Sequence, residues 1–459
     1  MNLRLFYRYY PSLAVACALL PFFTTSVAAQ TPNSLNPSPN PLLFPTRPEE
    51  VRIERSQAIT LTEALELAKR NNQDLQLAVL ELERSRSALR QAQAVFSPNA
   101  NVNTNLNNNG EGFTGSGSQT STSFTGQAQI SYNLYTSGNR RATVRAAEER
   151  LRIDELNVEN RNLEVQLSVT TQYYDLQEAD ELVRINRSAV ENAQASLRDA
   201  QSRQEFGVGT QFDVLQSQVN FANAQQALTN SLSQQRIVRR NFAALLNLSQ
   251  SVDVSAADAV EVAGLWEPTL EESIIQAFQN RPELEQFLAQ RNISEQQRRQ
   301  AISQLRPQVG VSGNYNITDR FNDGSSLTDG YSVGVQASLT LFDGGAARAS
   351  AAQSKVNIAI AENQFASQRD QIRFNVEQFY VQLQSNLDNI QTSTVGLEQA
   401  REALRLSRLR FGAGVGTQTD VIFAENDLTR AEGNRITAIL NYNRALANLQ
   451  RSVTLTGSI

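Results

Sequence analysis

The stretch Asn99–Asn109 reads NANVNTNLNNN, asparagine alternating with Ala100, Val102, Thr104 and Leu106 over its first eight residues. A period of two is that of a β-strand whose two faces differ chemically. Three further segments alternate in the same way. Phe124, Gly126, Ala128, Ile130, Tyr132 and Leu134 oppose Thr125, Gln127, Gln129, Ser131 and Asn133. Val309, Val311, Tyr315 and Ile317 oppose Gly310, Ser312, Asn314 and Asn316. Tyr331, Val333, Val335, Ala337, Leu339 and Leu341 oppose Ser332, Gly334, Gln336, Ser338 and Thr340. Each run has the length of a tilted β-strand crossing a membrane, roughly 9–11 residues. The polar faces of these runs carry amides, hydroxyls and glycines.

These strands belong to a chain that repeats itself. LTEALELAKRNNQDL (61–75) resembles LEESIIQAFQNRPEL (270–284), and SPNANVNTN (97–105) resembles RPQVGVSGN (306–314). SYNLYTSGNRRA (131–142) matches SLTLFDGGAARA (338–349), and GVGTQFDVL (207–215) matches GVGTQTDVI (414–422). Four matches in one order mark an internal duplication. Each half reads as a helix, two strands, a very long helix, a tight turn and a return helix. The first spans 59–255, with strands about 97–109 and 123–135, a long helix 139–206 and a return helix 212–248. The second spans 269–459, with strands about 307–320 and 330–342, a long helix 346–411 and a return helix 418–451. A connector, 256–268, joins them.

From Asn139 to Phe206 there is neither glycine nor proline, and from Ala346 to Phe411 only Gly396. A helix of that length extends about 100 Å and needs partners along its side. Val169, Leu176, Val183, Val190 and Leu197 recur every seven residues, as do Val376, Leu383, Ile390, Leu397 and Leu404. A sustained seven-residue repeat indicates coiled-coil packing. Leu156, Leu163, Leu167 and Tyr174 form a second, rotated stripe, so the first long helix has neighbours on both sides. A ring or sheet of helices satisfies that better than a two-stranded coil.

The 459 residues carry 41 basic and 46 acidic side chains and no histidine. No excess of positive charge awaits a nucleic acid, and the commonest general base and metal ligand is missing. Cys17 is the one cysteine, and Lys69 and Lys355 the two lysines. No catalytic site, metal site or cofactor is expected. Glu148-Glu149 and Glu271-Glu272 read as solvated helix faces. Arg4 and Arg8 precede an apolar run from Leu13 to Phe23, and Val27-Ala28-Ala29 supplies small residues for cleavage. Residues 1–29 therefore read as a secretory signal peptide. A lipid on Cys17 is the weaker reading, because the apolar run continues past it. Losing the two arginines shifts the net charge from −5 to about −7. Residues 30–58 read as an extended leader, six prolines lying between Thr31 and Pro48.

In lipid every backbone donor and acceptor needs a partner, so an open sheet edge is intolerable. Four strands cannot close around a polar lumen, whereas three copies supply twelve. Val102 and Leu106 would then face lipid. Asn101, Asn103, Asn105, Gln127, Gln129, Asn314 and Gln336 would line water.

The signal peptide, the duplicated plan, the long glycine-free helices and the paired GVGTQxDV turns together resemble the TolC-type outer-membrane efflux proteins, the outer membrane factors, from about Leu61 to Leu449. The resemblance implies a mainly α fold with transmembrane β: a duplicated helix–β-hairpin–long-helix–helix plan, trimeric, its 12-stranded β-barrel continued by an α-helical barrel. It implies a homotrimer in the outer membrane, with a helical tunnel crossing the periplasm. It further implies a periplasmic adaptor (membrane fusion protein) and an inner-membrane pump of ABC or RND type. The function expected is a passive exit duct of a tripartite efflux or type I secretion system. The alternative is a periplasmic coiled-coil adaptor or scaffold without a barrel. By the same resemblance the tip and adaptor contact comprise Gly207, Val208, Gly209, Thr210, Asp213, Phe411, Gly414, Val415, Gly416 and Thr417, and Asp420 takes the place of a pore-constricting acidic ring. Thr210 to Asp213 and Thr417 to Asp420 also read as capping boxes. Phe411 and Gly416 stand where the family carries a tyrosine and an arginine that bond the first-turn aspartate, so that lock is not expected here.

Overall fold

The computed structural model describes residues 55–110, 120–249, 251–321 and 327–454, with a few positions between 42 and 53. The signal peptide and most of the leader lie outside the described residues, and the expected leader ends too late, because its last four residues, 55–58, belong to a strand that pairs with a distant segment. The first half runs β1 (Arg55–Ile59), α1 (Leu61–Asn71), α2 (Gln73–Gln93), β2 (Asn99–Gly110), β3 (Thr120–Tyr135), α3 (Asn139–Glu205) and α4 (Gln211–Leu245). After β4 (Val252–Ala256) the second half runs α5 (Leu270–Asn280), α6 (Pro282–Ser303), β5 (Gln308–Phe321), β6 (Thr328–Ser338), α7 (Ala346–Gly412) and α8 (Gln418–Val453).

The helix before each strand pair is two helices rather than one. At Asn72 the backbone leaves the helix, and the side-chain oxygen accepts from the Leu75 amide at 3.1 Å, starting α2. At the equivalent place Pro282 opens α6 and forces Arg281 into an extended conformation. Thr60 and Thr269 close capping boxes with Glu63 and Glu272, which fix where α1 and α5 begin.

Helices α3 and α7 are 67 residues each. Val169, Leu176 and Val183 are buried along α3, as are Val376, Leu383, Leu397 and Leu404 along α7, with Val190, Leu197 and Ile390 half-buried. Leu156, Leu163 and Tyr174 of the second α3 stripe are buried as well. The core is accordingly drawn out along the long helices. One cluster gathers Ile59, Tyr173, Leu176, Phe242, Leu246 and Leu440. Another gathers Ile372, Val376, Leu383, Tyr442, Leu446 and Leu449. Full burial of one such side chain stabilises the fold by about 1.5–3 kcal/mol.

Strands β1 and β4, which periodicity did not disclose, pair in parallel over five residues, Arg55 opposite Val252 through Ile59 opposite Ala256. They lie against α3, where the Tyr173 hydroxyl donates to the Asp258 carboxylate at 2.7 Å and sits 3.0 Å from the Ile59 carbonyl. Asp180 accepts from Arg239 at 2.7 Å and from the Ala256 amide at 3.2 Å. The connector continues without regular structure, and Tyr442 donates to the Gly264 carbonyl at 2.7 Å.

The second sheet has the order β2-β3-β5-β6, antiparallel throughout, with β2 and β6 as open edges. Strand β6 ends at Ser338, short of the expected 342, because β5, its one partner among the described residues, begins at Gln308 directly opposite.

Candidate functional site

Register decides what the four-stranded sheet presents. Asn101 stands opposite Gln129, which stands opposite Asn314, which stands opposite Ser332. One step along that face, Asn103, Gln127 and Asn316 form the next row; in the other direction, Ser131 faces Ser312 and Gly310 faces Gln336. All seven amide residues expected to line water thus share one face. Among the described residues the single charged side chain of that face is Arg320, opposite Ser123 near the strand ends. The other face carries Val102, Leu106, Ile130, Tyr331, Val333 and Val335, all exposed in the single chain, Val102 at 73% and Val333 at 75%. Asp329 also lies there, accepting from the Tyr315 hydroxyl at 2.8 Å. No helix among the described residues is long and apolar enough to cross a membrane.

The two glycine-rich turns lie side by side at the ends of α3 and α7. Gly207 and Gly414 have φ of 76° and 75°, a left-handed conformation costly for other residues. Gly209 and Gly416 pass so close to the preceding helix that a Cβ would come within 2.9 Å and 3.1 Å of Arg203 and Phe411 atoms. Val208 and Val415 between them are exposed. Thr210 and Thr417 cap α4 and α8: Asp213 and Asp420 donate their amides to the threonine hydroxyls at 3.2 Å and accept from the threonine amides at 3.1 and 2.9 Å. These hydrogen bonds hold the Asp420 carboxyl below its ordinary range, the Thr417 amide contributing most.

Phe411 is half-buried beside Leu404, Val421 and Ala424. The Arg203 guanidinium lies 4.1 Å from the centre of its ring, and Thr419 donates to Gln216 at 2.9 Å. One residue that sequence reasoning missed joins the two hairpins higher up. Glu425, 5% exposed, accepts from Ser196 of α3 at 2.8 Å and from Arg408 of α7 at 2.9 Å, and Arg408 reaches Asn192 at 3.1 Å. The signal was present: a carboxylate falls within the apolar series Val421, Ala424, Leu428.

The outer membrane efflux protein family matches residues 64–248 and 274–454, which takes in both halves. The outer membrane protein TolC of Escherichia coli K12 is 23% identical over 185 residues, 39% of this chain and 37% of that protein. Among solved structures, CusC superposes with a TM-score of 0.76 at 15% identity, covering 92% of this chain and 98% of that one. VceC of Vibrio cholerae superposes at 0.72 with 19% identity, covering 86% and 95%. With the duplicated plan, the two-faced sheet and the family match over both halves, the chain is a member of the outer membrane efflux protein family, TolC-like in fold, and hence an outer-membrane protein with a periplasmic helical tunnel.

Proposed function

We propose that three copies of this chain form a passive exit duct, the outer-membrane component of a tripartite efflux or type I secretion system. An adaptor in the periplasm and a pump in the inner membrane would supply contact and energy, and the duct itself would carry out no chemistry. The observation that carries this reading is the register of the four-stranded sheet, which collects amides on one side and apolar side chains on the other while leaving both edges open. In lipid such edges must be paired, and twelve strands enclose a polar lumen that four cannot. The exposed Val208 and Val415, with the glycines around them, would form the tip that meets the adaptor. Asp420 would stand where three carboxylates approach one axis.

Native mass spectrometry of the detergent-extracted protein tests the assembly, with three chains expected. A well-folded monomer recovered outside the outer-membrane fraction would favour the adaptor or scaffold alternative.

A further inference from the structure

The duplication supplies a template for the contact that the two open edges require. Advancing β2 by 209 residues and β3 by 207 converts their register into that of β5 and β6. Asn99 opposite Ser131 becomes Gln308 opposite Ser338, Asn101 opposite Gln129 becomes Gly310 opposite Gln336, and Asn103 opposite Gln127 becomes Ser312 opposite Gly334. Applied to the pairing of β3 with β5, the same operation leads out of the chain, to β6 against the β2 of another copy. We propose that the next copy's β2 pairs with β6 in this register and, in doing so, draws Leu339–Phe342 into the strand. This rests on the trimeric barrel proposed above.

Gln129 opposite Asn314, Ser131 opposite Ser312 and Asn133 opposite Gly310 become Gln336 opposite Asn105, Ser338 opposite Asn103 and Thr340 opposite Asn101 of the next copy. Ala128 opposite Tyr315 and Tyr132 opposite Val311 become Val335 opposite Leu106 and Leu339 opposite Val102. Each of these five pairs sets polar on polar or apolar on apolar; towards the far end of β2 the rule lapses, Gly126 opposite Ile317 becoming Val333 opposite Asn108. A slip of one residue would set amides against the lipid-facing row; a slip of two keeps the faces, and the template alone excludes it.

The lengths of the strands point the same way. β3 continues past Ser131 to Tyr135, and Val311, Gly310 and Val309 hold those last residues. Their counterparts, just past the end of β6, are Leu339, Thr340 and Phe342, which have no strand opposite them among the described residues of one chain. Leu341 and Phe342 are 87% and 84% exposed. The helices repeat the asymmetry. α6 lies between α3 and α7, whereas α2 packs chiefly along α3. Ala289 of α6 is buried, while its counterpart Leu80 on α2 is exposed, as is Leu77. The operation that seats α6 on α3 seats the next copy's α2 on α7, so strand and helix contacts join the same two halves.

Cysteine pairs read the register directly, since a Cys17→Ser background is free of thiols. Gln336→Cys with Asn105→Cys, and Thr340→Cys with Asn101→Cys, should cross-link into ladders ending at three chains under mild oxidation. Gln336→Cys with Asn103→Cys or with Asn107→Cys should give at least tenfold less. A dominant control pair would overturn the register, and cross-linking at 336 and 105 without 340 and 101 would overturn the extension. Native mass spectrometry of the same samples separates the two readings. Three chains without either cross-link overturn the register, and a monomer overturns the barrel. Amide exchange of the unsubstituted trimer needs no variant: Leu339–Phe342 should exchange at least tenfold more slowly than an open loop, matching Tyr132–Tyr135. Loop-like exchange in a folded trimer would overturn the extension.

Discussion

Asp420 has one task fixed by geometry and a second that assembly would add. Its carboxylate is committed to the Thr417 amide, as Asp213 is to Thr210, so capping alone accounts for both residues. Three copies converging on one axis would add mutual repulsion and attraction for cations. Asp420→Asn keeps an acceptor oxygen but loses the charge. In planar bilayers it should weaken cation preference and block by multivalent cations, with Asp213→Asn having less effect. Unchanged selectivity would reduce Asp420 to a cap. The sheet allows a similar contrast. An arginine at Val102 or Val333, mid-strand on the apolar face, should cost about 2–4 kcal/mol of stability. At Asn103 or Gln336 it should assemble normally and alter conductance. Equal tolerance of both, read from heat-modifiable migration, would contradict the assignment of faces.

At the scale of elements, the long helices are held by a seven-residue stripe that a few polar contacts punctuate. Leu176 is wholly buried on α3, and Leu176→Ala should destabilise the protein by about 2–5 kcal/mol. Val190→Ala, at a half-buried position on the same stripe, should cost clearly less. Glu425 ties α8 to both α3 and α7, and one of its oxygens has no hydrogen-bond partner among the described residues. Its removal leaves Ser196 and Arg408 without their acceptor. Since Arg408 is half exposed, water recovers part of the loss, and Glu425→Ala should cost about 1–3 kcal/mol. An unfolding midpoint unchanged by Glu425→Ala would show that the two hairpins hold together without it.

Across the whole molecule, the second half is fastened to α3 by a partly buried ion cluster. Arg281 grips Glu283 through two bonds of 2.9 Å, and Arg451 of α8 reaches Glu283 at 3.0 Å and Asn160 of α3 besides. Burial opposes ionisation of Glu283, yet the two guanidiniums prevail and hold its carboxyl below the ordinary value. A lowered carboxyl pKa contributes stability that is present above the unfolded value, near pH 4.3, and is lost as pH falls through the folded one. Thermal unfolding should therefore show stability falling below about pH 4. Glu283→Gln should lower the midpoint at neutral pH while flattening that acid limb. An acid limb of unchanged slope would assign the loss to other carboxylates.

Periodicity and duplication are read along the chain, and they determined the long helices, the four alternating strands, their order and the two faces of each strand, but not the breaks at Asn72 and Arg281 that make two helices of the one before each strand pair. The glycine, threonine and aspartate positions of both turns were legible for the same reason, because a cap is made within four residues. Pairing between distant segments is another matter. Which amides share a row, that Arg203 covers Phe411, and that Glu425 joins three helices follow from helices and strands finding the packing that satisfies all of them together. The five-residue strands β1 and β4 are too short to carry a period, and they exist because α3 and α4 offer a surface on which to pair. Strand β6 shows the boundary most clearly. Its alternation runs on through Leu341, but a strand also needs hydrogen-bond partners, and within one chain those stop opposite Ser338.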